Sequence, residues 1–399
     1  MKISDKKIGE ILLMTGIVLN YIFDAINKIS LIYFPNFSRI AILYRLLFEL
    51  FCVATIIIFI NKKRIYFLGA FFYFLVSFFI GNLYLKTIGG VNIKLFEQFI
   101  YFNKYFFVFF IFFATYKALE DKKVLAKVVV KFKQIFILNG LFAILGILFK
   151  IKLFDSTPLG TPRFGFDGLI AAQNEASIFY LLGLFVFYYD WKRKKTTNKM
   201  LVFVILLSFL TGMKAVIIGA ILLGVYHLFI AVSFKKLKYI LLGSALIPFL
   251  LITYVDKITV LFGYYYSFFL KKGFLFMFLG GRNIFITTRI IPFLKKWDVI
   301  NYIIGGQNIS NVNDHLALTE MDFIDLLLFF GIVNAVIFFM MYKSVIIGHI
   351  KNKFYLFIVF VFLLLAFFSG HFFTSSVNSL YILIVFSYLK FSNNEAYRL

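Results

Sequence analysis

Two arginines in the C-terminal third are spaced for oxyanion chemistry. Arg282 follows Gly280–Gly281 and Arg289 stands seven residues later, so a helix from Asn283 to Leu294 would put both guanidiniums two turns apart on one face. A planar guanidinium fork binds phosphate oxygens bidentately, and two fixed cations at an outer membrane surface suit a phosphate or pyrophosphate group. Spacing alone favours the plainer alternative, snorkelling to lipid headgroups. Two further cations are candidate phosphate ligands. Arg163 sits in the loop Thr161–Pro162–Arg163–Phe164–Gly165, and Lys214 ends the polar break Thr211–Gly212–Met213–Lys214. A cation in an otherwise apolar hairpin is costly unless it faces a cavity or a partner. Arg163 also reads as an ordinary loop arginine, followed by the helix-start pair Asn174 and Glu175.

The acids that could move a proton are Glu320 and Asp322. At i, i+2 on a helix they point to different faces, so they are not a shared-proton dyad. A carboxylate at a dry membrane boundary can act as general base or acid, a role that falls to Glu320. Helix capping and dipole compensation account for Asp322, and Asp322→Asn is then expected to cost within about 1 kcal/mol. His315 beside Asp314 is a base–orienter pair or a plain polar loop histidine. Four scattered histidines without paired spacing argue against a His-based metal site, and no nucleotide-binding glycine loop appears, so no cofactor is expected. Arg45 and Glu49, at i, i+4, are expected to neutralise each other; Lys104 and Glu97 read as intramembrane or interfacial support.

These residues must be held by membrane helices. Of 399 residues, 62% are apolar and only 15% charged, and 59 are Phe; mean hydropathy is +0.94. A soluble chain of this size needs far more charge to cover its surface, which excludes a cytosolic enzyme, a disordered chain and, with Cys52 alone, a disulfide scaffold. Apolar runs long enough to span lie at 8–27, 38–60, 65–85, 98–117, 134–150, 169–190, 239–255, 322–342, 354–370 and 376–389. The first is too long to be a cleaved signal peptide. Residues 199–232 read as a tight hairpin broken at Thr211–Lys214, which brings the total to about twelve spans in one all-α domain.

A net charge of +24 would suggest nucleic-acid binding in a soluble protein. Here the basic residues cluster between apolar runs, at 62–64, 122–133, 192–195, 235–238 and 343–353, so they orient the chain with both termini cytoplasmic. One extracytoplasmic loop, about 256–321 between the ninth and tenth spans, breaks the charge rule by carrying seven Lys and Arg, and is apolar enough to fold against the membrane.

In this order the motifs resemble a known family. An outer-loop Arg163–Phe164–Gly165 precedes an Asn-bearing span; Leu210–Thr211–Gly212–Met213–Lys214 forms a hairpin tip. A large outer loop then carries Gly281–Arg282 and Ile304–Gly305–Gly306, and Glu320–Met321–Asp322–Phe323–Ile324–Asp325 leads to Gly331. Over residues 160–342 the pattern is similar to the bacterial O-antigen and capsular-polysaccharide polymerases (Wzy-type), within the wider O-antigen ligase-like group. The resemblance implies a metal-independent membrane glycosyltransferase in the bacterial inner membrane. Its substrate would be an undecaprenyl-pyrophosphate-linked glycan, polymerised for O-antigen or capsule, with a chain-length regulator and a flippase as partners. It implies Arg282 and Glu320 as catalytic residues, Arg163, Lys214 and Arg289 as pyrophosphate ligands, and Asn174, His315 and Asp322 in support. Ligases of the group carry a histidine eleven residues before the glycine; here that register holds Glu320, which favours polymerase over ligase, while His315 keeps the ligase reading open. A polysaccharide flippase, also with about twelve spans, is the alternative of a different class.

Overall fold

The computed structural model describes residues 4–37, 40–91, 93–157, 164–231, 267, 269–270, 272–273, 276, 279–307, 319–350, 352–368 and 370–391. Its helices begin where a short polar side chain precedes an apolar run. Ser4 caps α1 (Asp5–Tyr33), Asn61 caps α3 (Lys62–Thr87), Asp121 caps α5 (Lys122–Phe149) and Thr197 caps α7 (Asn198–Leu210), each accepting from backbone N–H groups of the first turn. Between them run α2 (Ile40–Ile58), α4 (Leu95–Leu119) and α6 (Gln173–Lys192); α8 (Lys214–Ala231) follows. In the C-terminal part, α9 (Arg282–Phe285) passes through a π-helical turn (Ile286–Ile290) into α10 (Ile291–Leu294). Then come α11 (Val299–Ile304), α12 (Asp322–Tyr342), α13 (Lys353–Phe368) and α14 (Ser379–Phe391).

The described residues form a helical membrane protein without a named strand; one isolated bridge joins Asp155 and Phe166. Among the described residues six segments are long and apolar enough to cross a membrane: α1, Pro35–Ile58, α3, α4, α5 and Asp322–Ile347. Leu50, Phe51 and Ile58 on α2, Phe72 on α3, Phe149 on α5 and Met340 on α12 are exposed, an apolar surface that a bilayer would cover. By contrast α6 is buried continuously from Ala176 to Asp190. Edge-to-face rings fill the interior, as where Phe74 meets Phe330 at 5.3 Å and Phe338 at 6.2 Å. The expected hairpin breaks as read: α7 ends at Leu210 and α8 starts at Lys214. The fifth helix begins at Lys122, well before the expected span at 134, because Asp121 caps it and its basic first turns stay helical. The expected span 239–255 and the cluster 235–238 lie outside the described residues.

Ion pairs close one end of the bundle. Arg64, fully buried, donates to both carboxylate oxygens of Asp5 at 2.9 and 3.0 Å and to Phe113 O at 2.8 Å. Lys117 also reaches Asp5, at 3.1 Å, and Lys127 reaches Glu10 at 3.2 Å. Lys133 pairs with Asp190 at 2.7 Å, and the Tyr388 hydroxyl donates to the same acid. A buried charge is tolerated only when paired and hydrogen-bonded, and these pairs tie the starts of α1, α3 and α5 to the ends of α4, α6 and α14. Lys6 beside Asp121 holds that carboxyl down to about 2.

At the opposite end, residues 299–307 wedge between α3 and α12. Asn301 donates to Gly81 O at 2.8 Å, and Gly306 N donates to Leu328 O at 2.9 Å. A methyl group on Gly305, whose φ is +89°, would stand 2.3 Å from Phe329 O, and α12 loses helical geometry at Gly331 beside it. The Ile304–Gly305–Gly306 motif therefore marks backbone contact with α12, which draws this part of the long loop into the bundle.

Candidate functional site

The end of the bundle away from the ion-paired clusters carries most of the chemistry. Arg282 opens α9 behind Gly281, whose φ of +86° turns the chain. Its Nη2 donates to Glu320 Oε2 at 2.5 Å and its Nη1 to Phe368 O at 3.1 Å. The Arg282 side chain is 17% exposed and that of Glu320 is 47% exposed. Sequence reasoning placed these two residues in one site, and the fold brings them together across 38 positions.

Glu320 is held rather than free to swing at its backbone. Its φ is +55°, a left-handed conformation that costs a non-glycine residue about 1 kcal/mol or more. The flanking residues enforce it: Thr319 N donates to Asp325 Oδ1 at 2.8 Å, and Met321 N to Thr319 Oγ1 at 3.0 Å. His371 has φ +68°, and Gly370 beside it packs against the Glu320 backbone, where a methyl group would stand 2.5 Å from Glu320 O. Lys150 and Lys194, the other non-glycine residues with positive φ among the described residues, close the ends of α5 and α6, an ordinary use of that conformation. Glu320 and His371 are strained beside one another instead.

Asp322 corrects the expectation of a helix cap. It is 1% exposed; its Oδ1 accepts from His371 N at 2.7 Å, and its Oδ2 from Phe372 N at 2.6 Å and Phe373 N at 3.0 Å. The acid clasps the turn before α14. Arg289 departs from expectation too. The π turn at 286–290 shifts the helical register by about one residue, so the shared face with Arg282 is lost and Arg289 is exposed.

The clasped turn also roofs a polar cavity of about 220 Å³, lined by Asp24, Arg45, Lys104, Ala172, Glu175 and His371 among others. Asp24 accepts from Arg45 Nη2 at 3.1 Å and from Ala171 N at 3.0 Å, joining α1 and α2 to the loop ahead of α6. Arg45 therefore pairs with Asp24 and not with Glu49, which accepts from Asn103 at 2.6 Å. Glu175, at the start of α6, accepts from Ser375 Oγ and, at 2.7 Å, from Asn378 Nδ2. The Lys104 ammonium lies 4.2 Å from the Tyr101 ring centroid; Glu97 pairs instead with Lys94 at 3.3 Å. At 1.5 Å per residue, Asp24 and Lys104 sit about 14 Å in from their helix ends. Asn174, expected in support, is half-buried in the first turn of α6.

Two of the expected motifs pack on each other. Phe166 N donates to Leu210 O at 2.9 Å, and Gly165 and Gly212 lie so close to Thr211 O and Phe164 O that methyl groups would approach to 2.1 and 2.0 Å. Lys214 stands half-buried at the start of α8 just beyond that contact. The same loop is pinned by Lys28 and Asp167, each 1% exposed and paired at 2.5 Å. Burial pushes the Asp167 carboxyl up to about 7 against the pull of Lys28. Arg163 and His315 lie outside the described residues.

Sequence reasoning missed Asp24 and His371 and gave Lys104 and Arg45 only structural parts. An acid in the first apolar run was a signal for Asp24, since ionisable residues inside membrane helices pair or face a cavity. No local signal marked His371. No family model, curated protein or solved structure matches the chain.

Proposed function

We propose that this protein is a membrane-embedded glycosyltransferase that polymerises undecaprenyl-pyrophosphate-linked oligosaccharide units into O-antigen or capsular polysaccharide. The observation that carries the reading is the Arg282–Glu320 pair, held beside the strained turn at His371 at the end of the bundle opposite the ion-paired clusters. Under this reading the basic end faces the cytoplasm with both termini, about twelve spans cross the inner membrane, and 256–321 lies outside.

The reaction needs a cation at the leaving group and a base at the acceptor. The acceptor hydroxyl oxygen attacks the anomeric carbon as the bond to pyrophosphate breaks, and undecaprenyl pyrophosphate departs with the growing charge. Arg282 stabilises that charge, with Lys214 and Arg163 as further cations. In the resting structure Glu320 occupies the Arg282 Nη2. Pyrophosphate that takes this position releases the carboxylate, which then accepts the acceptor's proton. The donor's own activated bond supplies the energy. Substitution tests the reading: Arg282→Ala should abolish polymer while single lipid-linked units accumulate, a loss of about 2–4 kcal/mol, or about 30- to 1,000-fold in rate. Arg282→Lys should restore activity only in part, because an ammonium lacks the bidentate fork. Full polymer from a normally expressed Arg282→Ala protein would remove Arg282 from the mechanism.

The charged cavity inside the bundle favours one second reading, a polysaccharide flippase. A flippase would move lipid-linked units across the membrane without lengthening them. An O-antigen ligase would transfer finished glycan to a lipid acceptor instead.

A further inference from the structure

The reaction above makes no use of the polar cavity, although the cavity adjoins its residues. His371 lines it, and Gly370 packs on the Glu320 backbone, so one turn of chain separates the cavity from the Arg282–Glu320 pair. Its lining is balanced in charge, with Asp24 and Glu175 against Arg45 and Lys104. Asp24 and Arg45 are already joined at 3.1 Å. Lys104 and Glu175 attract one another but stay too far apart to form an ion pair. Glu175 Oε2 accepts from Ser375 and Asn378, while its Oε1 has no donor among the described residues. Asn27, Thr374 and Ser376 bring an amide and two hydroxyls to the same space, and among the described residues these side chains make no hydrogen bond. An ion of either sign would gain from one of the two separated charges and be repelled by the other. A hydroxyl both donates and accepts, so neighbouring hydroxyls of one molecule can accept from Lys104 Nζ and donate to Glu175 Oε1.

We propose that this cavity binds one neutral sugar ring through its hydroxyls, with Lys104 as donor, Glu175 as acceptor and Thr374 as a further hydrogen-bond partner. That the site takes a neutral, hydroxyl-bearing molecule rests on the lining alone; that this molecule is a sugar of the repeat unit rests on the proposed reaction. A volume of about 220 Å³ is below the ~300–1,000 Å³ of sites that enclose a whole drug-sized molecule. It accommodates one ring and not an oligosaccharide. Ala172 of the lining is exposed, so the cavity reaches the surface and a ring has a way in.

Saturation-transfer NMR of the full chain, in a detergent without a sugar headgroup, tests the site. Glucose, galactose, N-acetylglucosamine and rhamnose serve as neutral probes, with glucuronate and glucosamine as charged ones. Saturable binding of at least one neutral sugar, tighter than that of either charged probe, is expected. Lys104→Met should weaken it at least about tenfold, the loss of a charge-assisted hydrogen bond. Thr374→Val keeps the shape of the side chain and removes its hydroxyl. It should weaken binding about fivefold, the worth of one neutral hydrogen bond, so the site remains testable if Lys104→Met does not fold. Tighter binding of glucuronate or glucosamine, no saturable binding by any neutral probe, or unchanged affinity in Thr374→Val or Lys104→Met would overturn the assignment. Polymer made by a chain that binds none of the sugars would remove the cavity site and leave the reaction standing. Sugar binding by a chain that makes no polymer from lipid-linked units would support the cavity site and remove the reaction.

Discussion

Replacing Asp322 by Asn separates a helix cap from a clasp between segments. Three backbone N–H groups, those of His371, Phe372 and Phe373, converge on the two carboxylate oxygens at 2.6–3.0 Å, in a site where the side chain is 1% exposed. Asn offers one acceptor. Its better orientation places the oxygen where Oδ2 was, keeps the bonds from Phe372 and Phe373, and turns the amide NH₂ toward the N–H of His371. One stranded buried N–H costs about 1–3 kcal/mol. The two surviving bonds fall from charge-assisted to neutral strength, roughly half, which adds about 1 kcal/mol. The sum is about 2–4 kcal/mol, against the 1 kcal/mol or less expected of a capping residue. Denaturation of the full chain in detergent micelles, followed by helical circular dichroism, measures the difference. Because the turn also carries His371 and Ser375, polymer formation should fall with stability. An Asp322→Asn protein within about 1 kcal/mol of the unmodified chain would refute the clasp and restore the cap.

Glu320→Gln should lower polymer formation sharply at normal expression, since the amide keeps the size of the side chain and loses its basicity; retained activity would leave Arg282 without a base at Glu320. In a Cys52→Ala background, a cysteine at the exposed position Lys295 should react with an impermeant thiol reagent in cells whose outer membrane is permeable to it. Labelling only after lysis of the inner membrane would put residues 256–321 on the cytoplasmic side.

Helix positions were legible because apolar runs and capping side chains are local. The break between α7 and α8 shows this: Thr211–Gly212 interrupts a run flanked by lysines on both sides. Partnerships were less legible. Arg45 and Glu49 are ideally spaced for an intrahelical pair, yet each turns to another helix, Arg45 to Asp24 and Glu49 to Asn103, because buried charge and polar groups are satisfied across the bundle. Arg282 and Arg289 lost their common face to a π turn that no residue between them announces. Arg282 and Glu320 were named together on motif order and meet as an ion pair. His371 escaped notice because its place depends on three N–H groups captured by an acid 49 to 51 residues earlier.

Reconstitution of the purified chain in proteoliposomes with undecaprenyl-pyrophosphate-linked repeat units tests the central claim most directly. Glycan length and released undecaprenyl pyrophosphate would be measured together. Polymerisation predicts a ladder of chains, one undecaprenyl pyrophosphate released per bond formed, and neither product from Arg282→Ala. Units that cross the membrane without lengthening, or no change in the units at all, would contradict it.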